Sequence, residues 1–416
     1  MRLLIVVAVL AGCSDQQNLG ARNVLHAARW AVTAGTASGA NSDSAASCMA
    51  IDSAGDIVAA GPFQGTVSFG SSTLAGTDSE AGASYWVSKR SGIDGSELWS
   101  LINEHEVEAV AMTPQREVIV AGGEWVYKYD PDGHLMWRTA LNGNALTLGL
   151  AVTPDGQIYL SVSFTGSLSF PDRIVSGGPY ALVALAPDGH VVWGRQQPVG
   201  GQVHSTSDGH AIVVGHVEVS TTFGDTNIDL THDPDLFAAE LDHDGALVAV
   251  HTFGTFGERH NGVSSTLDAS DRVAVTANSL LRTDSPTETL LDTTDRSIWS
   301  ATLTSGGGEA LAVATTTDTV VSAGRITTDS FDPGDGVHVG NAYLIARDMS
   351  GDLVDARVFG DRSLSVQDGL TALAVGPGGE VGFAGLIGEP IDFGSGRVVP
   401  PSSSEYSFVI GVLAPP

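Results

Sequence analysis

Around His105 the sequence reads "NEHEVEA", the letters of a zinc-binding H-E-x-x-H helix in the wrong order. That chemistry needs two imidazoles one helical turn apart, and this arrangement does not supply them. No "G-x-S-x-G" nucleophile elbow and no "G-x-x-x-x-G-K-[ST]" phosphate loop occurs. "DPDG" from Asp130 and "DHDG" from Asp242 each carry half of a calcium-loop pattern, but both fall where a hairpin turn already calls for Asp and Gly. His204, His210 and His216 recur every six residues, and His232, His243, His251 and His260 follow. Such spacing sets His204 and His210 on opposite sides of one turn, so these histidines read as structural or surface groups. The glycine-rich run at 305–310 reads as a turn between units. No catalytic residue or metal ligand is assigned, and no cofactor is expected.

The N-terminus carries the most specific local signal. "MRLLIVVAVLAGC" has Arg2, an apolar run from Leu3 to Ala11 and then Cys13; the run is too short to span a bilayer. Its "LAGC" ending resembles the bacterial lipoprotein signal, in which cleavage precedes a cysteine that then receives lipid. The resemblance implies a signal peptide over 1–12, lipidation of Cys13 with acyl chains such as palmitate, and a tether over 13–24. A thiolate is nucleophilic enough to take the lipid, and more than one acyl chain gives stable anchoring. The eleven residues from Ser14 to Val24 reach at most about 35–40 Å, which keeps the remainder, 25–416, close to the membrane. With Cys13 modified, Cys48 in "SCMAID" has no disulfide partner and reads as a buried, inert thiol.

Composition narrows the class of the remainder. The chain is 42% hydrophobic with 51 Gly and is rich in Val, Thr and Ser, a profile of strands and turns. Its net charge is −29, and Lys89 and Lys128 are its only lysines, so a phosphate backbone is repelled and nucleic acid is excluded as a partner.

Self-similarity organises the strands. "MAIDSAGDIVAAG", "VAMTPQREVIVAG", "LAVTPDGQIYLSV", "HSTSDGHAIVVG", "STLDASDRVAVTA", "VATTTDTVVSAG" and "LAVGPGGEVGFAG" each join two apolar strands by a tight turn. Five units carry an extra segment after the second strand, such as "FQGTVSFGSSTLAG". The units near Val110 and Thr266 lack it and give the two shortest spacings. A second strand pair follows in each unit, commonly ending in Trp, as in "GSELWS" and "GHLMWR". Four strands per unit are the content of a β-propeller blade, which must stack on neighbours to bury both faces.

The last unit, ending "EYSFVIGVLAPP", supplies three strands only, while "LHAARWAV" near the N-terminus is a fourth strand with nothing before it. Pairing the two closes a ring, covers an exposed edge and predicts an all-β, seven-bladed propeller of four-stranded antiparallel blades. The array resembles the bacterial propeller-repeat family of exported proteins in Phe63, Gly65, Val67, Phe69 and Gly70, then Asp94 and Trp99. A looser resemblance, through "YDPDGHLMW" and "ALAPDGHVVW", is to quinoprotein-like propellers. The family resemblance implies the fold and export, and no single activity. Trp30, Trp99, Trp137, Trp193 and Trp299 are expected to pack between blades, and Trp86 and Trp125, outside that register, are expected at a face of the ring.

The functional expectation is a non-enzymatic, monomeric platform for a protein or glycan partner, lipid-anchored at the outer membrane or surface of a Gram-negative cell. The alternatives are an envelope polysaccharide lyase or hydrolase working in the central funnel, and a scaffold subunit of an outer-membrane assembly complex.

Overall fold

A computed structural model describes residues 24–37, 46–76, 83–170, 173–217, 219–229, 235–253, 260–279, 287–292, 296–302, 308–328, 331–360, 369–400 and 407–414. Cys13, the proposed signal and tether up to residue 23, and the glycine run at 305–307 lie outside them.

Seven four-stranded antiparallel blades make a ring; six are separate sheets, and the seventh is continued by a hairpin of blade 1. Blade 1 takes Cys48–Ile51, Ile57–Phe63, Ser84–Arg90 and Glu97–Asn103, in order from the channel outward, and we call these positions a to d. Blades 2 to 6 repeat the order. Blade 7 builds a to c from Gly369–Val375, Val381–Ile387 and Ser407–Leu413, then takes Ala28–Ala37 as strand d. Trp30 pairs with Val412 and Ala34 with Phe408, so the ring closes through the N-terminal strand as the sequence predicts. That strand continues past its own blade, with Thr36 opposite Val67 of blade 1.

Position in the blade explains residue type. The middle strands lie between two neighbouring blades as well as between two strands, so both faces are dry and the apolar run is continuous. Val118–Gly122 and Val381–Ile387 are buried throughout. Strand d has one wet face, and exposed Leu135 and Met136 stand in Leu135–Ala140 of blade 2. Glycines toward the end of strand b answer to a close approach. A Cβ on Gly122 would lie 2.2 Å from the Glu106 carbonyl oxygen, and one on Gly385 would lie 2.1 Å from that of Gly369.

The extra segments form hairpins, among them Thr66–Ser68 with Thr73–Ala75 and Ser167–Phe170 with Arg173–Ser176. Each runs down the outer wall of its blade; in blade 1, Ser71 and Ser72 reach Glu97 at the start of strand d. Because strands alternate in direction, the a–b and c–d turns share one side of the ring. We call it the turn side; the b–c and d–a connections occupy the other.

Tryptophans join consecutive blades. Nε1 of Trp30, Trp99, Trp137 and Trp193 donates to the carbonyls of Gly92, Pro131, Pro187 and His243, each in the c–d turn of the next blade. Each ring also lies against a turn glycine of positive φ there, Gly95, Gly133, Gly189 and Gly245, and Trp299 repeats the contact on Gly351. Trp86 corrects the expectation of exposure. It is fully buried between Phe69 and Phe408, with ring centroids at 5.1 and 5.3 Å. Its strand-c position faces the seam between blades 7 and 1, where no solvent remains. Trp125 is half-buried, with Arg138 5.2 Å above its ring and His105 stacked at 4.9 Å.

Candidate functional site at the central channel

The seven inner strands enclose a channel. Toward the side opposite the turns it holds a cavity of about 230 Å³ lined by residues of every blade, including Cys48, Glu108, Gln202, His204, Ser265 and Thr371. Glu108 accepts hydrogen bonds from the backbone N–H groups of Gly123 at 3.0 Å and Thr147 at 2.6 Å. Burial raises its pKa against the pull of those two donors. Across the channel, His204 Nε2 lies 2.8 Å from Ser265 Oγ, and Ser265 donates from both N and Oγ to Gln202 Oε1, at 2.7 and 3.0 Å. With the Ser265 proton directed at Gln202, the short contact needs His204 as donor, the neutral Nε2–H tautomer. Burial supports that state by lowering the His204 pKa to about 4. Cys48 is half-buried on the cavity wall, less enclosed than the sequence suggests, and its thiol is pushed up to about 12 by burial and then by the Glu108 charge, which keeps it protonated. Thr371 Oγ1 donates to the Ala46 carbonyl at 2.6 Å, a stitch from blade 7 to blade 1.

At the turn side the mouth widens into a cavity of about 460 Å³ formed by the a–b turns of blades 1 to 5, with Ile51, Met112, Pro114 and Pro154 beside Asp52 and Asp268. Asp52 is buried and takes Lys89 Nζ at 3.0 Å and Arg116 Nε at 2.8 Å on one oxygen. Burial works to raise its pKa, but the bonds from Arg116 and Lys89 prevail and hold it below the ordinary carboxylate value. Lys128 is also buried, with Nζ 2.6 Å from Glu117 Oε2 and 3.1 Å from the Pro187 carbonyl of blade 3. Both lysines are therefore spent inside the ring.

Two residues of this mouth escape a reading by motif. Blades 1, 3, 4 and 7 place Gly55, Gly156, Gly209 and Gly379 at a left-handed position of the a–b turn, whereas blades 2 and 5 place Arg116 at φ +67° and Asp271 at φ +59°. Each reaches back one blade. Arg116 bonds to Asp52 and Asp56, and Asp271 accepts from Ser207 N at 2.9 Å and Ser207 Oγ at 2.7 Å.

The other sequence candidates stand apart from one another. Asp130 Oδ1 accepts from Asp132 N and His134 N, and Asp242 Oδ1 from Asp244 N and Ala246 N, so both half-loops are hairpin turns. His210 Nδ1 meets Glu240 Oε1 at 2.6 Å across the a–b turn from His204, and the two histidines take different partners. Among the described residues no group of three or more His, Cys, Asp or Glu side chains is placed to hold a metal ion.

No family model and no curated protein matches the chain. Among solved structures, a chain of the mitotic checkpoint complex aligns at TM-score 0.53 and 10% identity, covering 96% of this chain and 98% of that one. Streptogramin B lyase aligns at TM-score 0.50 and 10% identity over 92% of this chain and 97% of the other. BamB from Moraxella catarrhalis aligns at TM-score 0.40 and 13% identity, over 92% and 91%. At such identities the likeness to the first two is one of fold alone.

Proposed function

We propose that the chain is a lipid-anchored envelope propeller of a Gram-negative bacterium that serves as a non-enzymatic platform, taking a protein or glycan partner at the mouth of its channel. The observation that carries this reading is the concave mouth formed by the a–b turns of blades 1 to 5. In the channel, Glu108 Oε2 accepts from two backbone donors and His204 donates to Ser265, so both stitch inner strands together. The turn-side mouth offers what a binding site needs, a concave surface mixing apolar side chains with a few polar groups. Membership of an envelope assembly is the same reading with a permanent partner.

A second reading has one observation in its favour: Glu108 and His204 line a single cavity, as an acid–base pair in a lyase or hydrolase would. The two are separated by a photo-cross-linker placed at Pro114 in the mouth, or at the exposed Ile174 on the outer wall, in living cells. A platform yields a discrete adduct from Pro114 alone. Turnover of envelope polysaccharide by the purified protein, abolished by Glu108→Gln or His204→Ala, would overturn the platform.

A further inference from the structure

We infer that the channel cavity on the side away from the turns is a binding site for a small organic ammonium ion, with Glu108 as the group that holds its charge. The site lies at the other end of the channel from the turn-side mouth, so it goes beyond the platform reading and does not depend on it.

Glu108 differs from the other carboxylates drawn into the ring. Asp52, Glu117 and Asp268 have Lys89, Lys128 and Arg272 at 3.0, 2.6 and 2.5 Å, and Glu288 has Arg347 at 3.3 Å. Among the described residues no lysine, arginine or histidine pairs with Glu108, and the neighbouring charge that acts on it is a second anion, Glu106. Its donors are the backbone N–H groups of Gly123 and Thr147, both on Oε2 and both neutral, so the negative charge on the cavity wall has no counterpart. A carboxylate has about four lone-pair positions. Two bonds therefore leave acceptor capacity for a ligand.

The rest of the wall decides what kind of cation fits. Among the described lining residues Glu108 alone carries a formal charge, since burial keeps His204 neutral and Cys48 protonated. Leu148, Leu150, Leu311 and Leu373 line the same cavity. A metal ion calls for several oxygen, nitrogen or sulfur ligands, and no group of three or more His, Cys, Asp or Glu is placed to hold one among the described residues. One carboxylate beside aliphatic walls suits a charged N–H donor on a short carbon chain. The head makes a charge-assisted hydrogen bond, and the chain leaves water against the leucines. Volume sets the upper size. A cavity of about 150 Å³ takes benzene, so the 230 Å³ available here takes a ligand of roughly nine non-hydrogen atoms in proportion.

The test is calorimetric titration of the full-length protein with n-butylammonium. The salt is about 0.15 M, where a Debye length of about 8 Å screens attraction to scattered surface carboxylates. Tetramethylammonium has the same charge without an N–H, and butan-1-ol has the same chain without the charge. The expected result is saturable, single-site binding of butylammonium, about tenfold or more tighter than either comparison probe. Glu108→Gln keeps an acceptor for the two backbone N–H groups and abolishes binding, whereas Glu124→Gln, at an exposed position of the same blade, leaves it unchanged. Equal binding of tetramethylammonium reduces the effect to the pull of an acidic chain on any cation. Equal binding of butan-1-ol reduces it to an apolar cavity. Either overturns the inference, as does absence of binding or binding that survives Glu108→Gln. The three probes decide on wild-type protein even where the variant fails to fold.

Discussion

Asp355 Oδ2 accepts the backbone N–H of Leu25 at 2.8 Å, at the strand-d position where blades 1, 2, 3, 5 and 7 carry Trp. The exchange follows from how the ring closes. For Trp30, Trp99, Trp137 and Trp193 the next blade offers a c–d turn whose carbonyl accepts from the indole. Blade 7 has no such turn, because its strands c and d come from opposite ends of the chain, and it offers an N–H donor instead. An acceptor is therefore required at Asp355, and a second donor would leave both unpaired. Asp355→Ala is expected to cost about 1–3 kcal/mol through the orphaned N–H and lost charged bond, and Asp355→Trp at least as much. Thermal and urea unfolding would measure both.

The four bonded tryptophans make a graded test of blade-to-blade adhesion. Trp193→Phe keeps a ring over Gly245 but loses the 2.6 Å bond to the His243 carbonyl, at an expected cost of about 1 kcal/mol. Trp193→Ala removes the packing as well, for about 3–5 kcal/mol. If the two variants lost equal stability, the indole's packing between blades 3 and 4 would contribute nothing beyond its N–H.

How much of this was legible in the sequence depends on whether a feature repeats. The closing strand shows because Trp30 ends a pattern that Trp99 and Trp137 also end, and the glycines late in strand b, Gly122, Gly215, Gly324 and Gly385, show because each meets a neighbouring carbonyl. Side-chain partners do not show. Trp86 stands outside the register, and only the fold places it between Phe69 and Phe408. Arg116 and Asp271 look like decay of a turn motif, yet the residues they bond, Asp52 and Ser207, lie 64 positions away in each case. The channel pairing of His204 with Ser265 crosses 61 positions and belongs to no motif.

Arg116 sets a cost in backbone strain against bonds to the preceding blade. A left-handed φ costs a non-glycine residue about 1–2 kcal/mol, and charged hydrogen bonds return about 1.5–3 kcal/mol each before solvent screening. The Arg116 side chain is 39% exposed, so screening reduces its bonds to Asp52 and Asp56. Three variants therefore rank in a fixed order. Wild type is the most stable, Arg116→Gly loses the bonds but sheds the strain, and Arg116→Ala loses the bonds and keeps the strain. Denaturant midpoints that put Ala above Gly would contradict the left-handed turn.

The seam between blades 5 and 6 should make stability depend on pH. Glu288 is fully buried there, and Arg347 Nε lies 3.3 Å from Glu288 Oε2 without a bond of good geometry. Among the described residues neither carboxylate oxygen accepts a hydrogen bond, and the nearby hydroxyls of Thr276 and Ser322 are also unbonded. Burial, opposed by Arg347, pushes the Glu288 carboxyl from 4.5 up to about 8. The folded chain therefore keeps a proton that the unfolded chain has released, and folding loses stability as pH rises between those values. Below 4.5 both states hold the proton, and above about 8 neither does, so the effect is flat outside that window. Glu288→Gln holds the neutral form at every pH. Its unfolding midpoint should match wild type at the acid end of the window and exceed it increasingly toward the alkaline end. A difference that stays constant with pH would mean that Glu288 is ionised throughout and that Arg347 carries the seam as a charged pair.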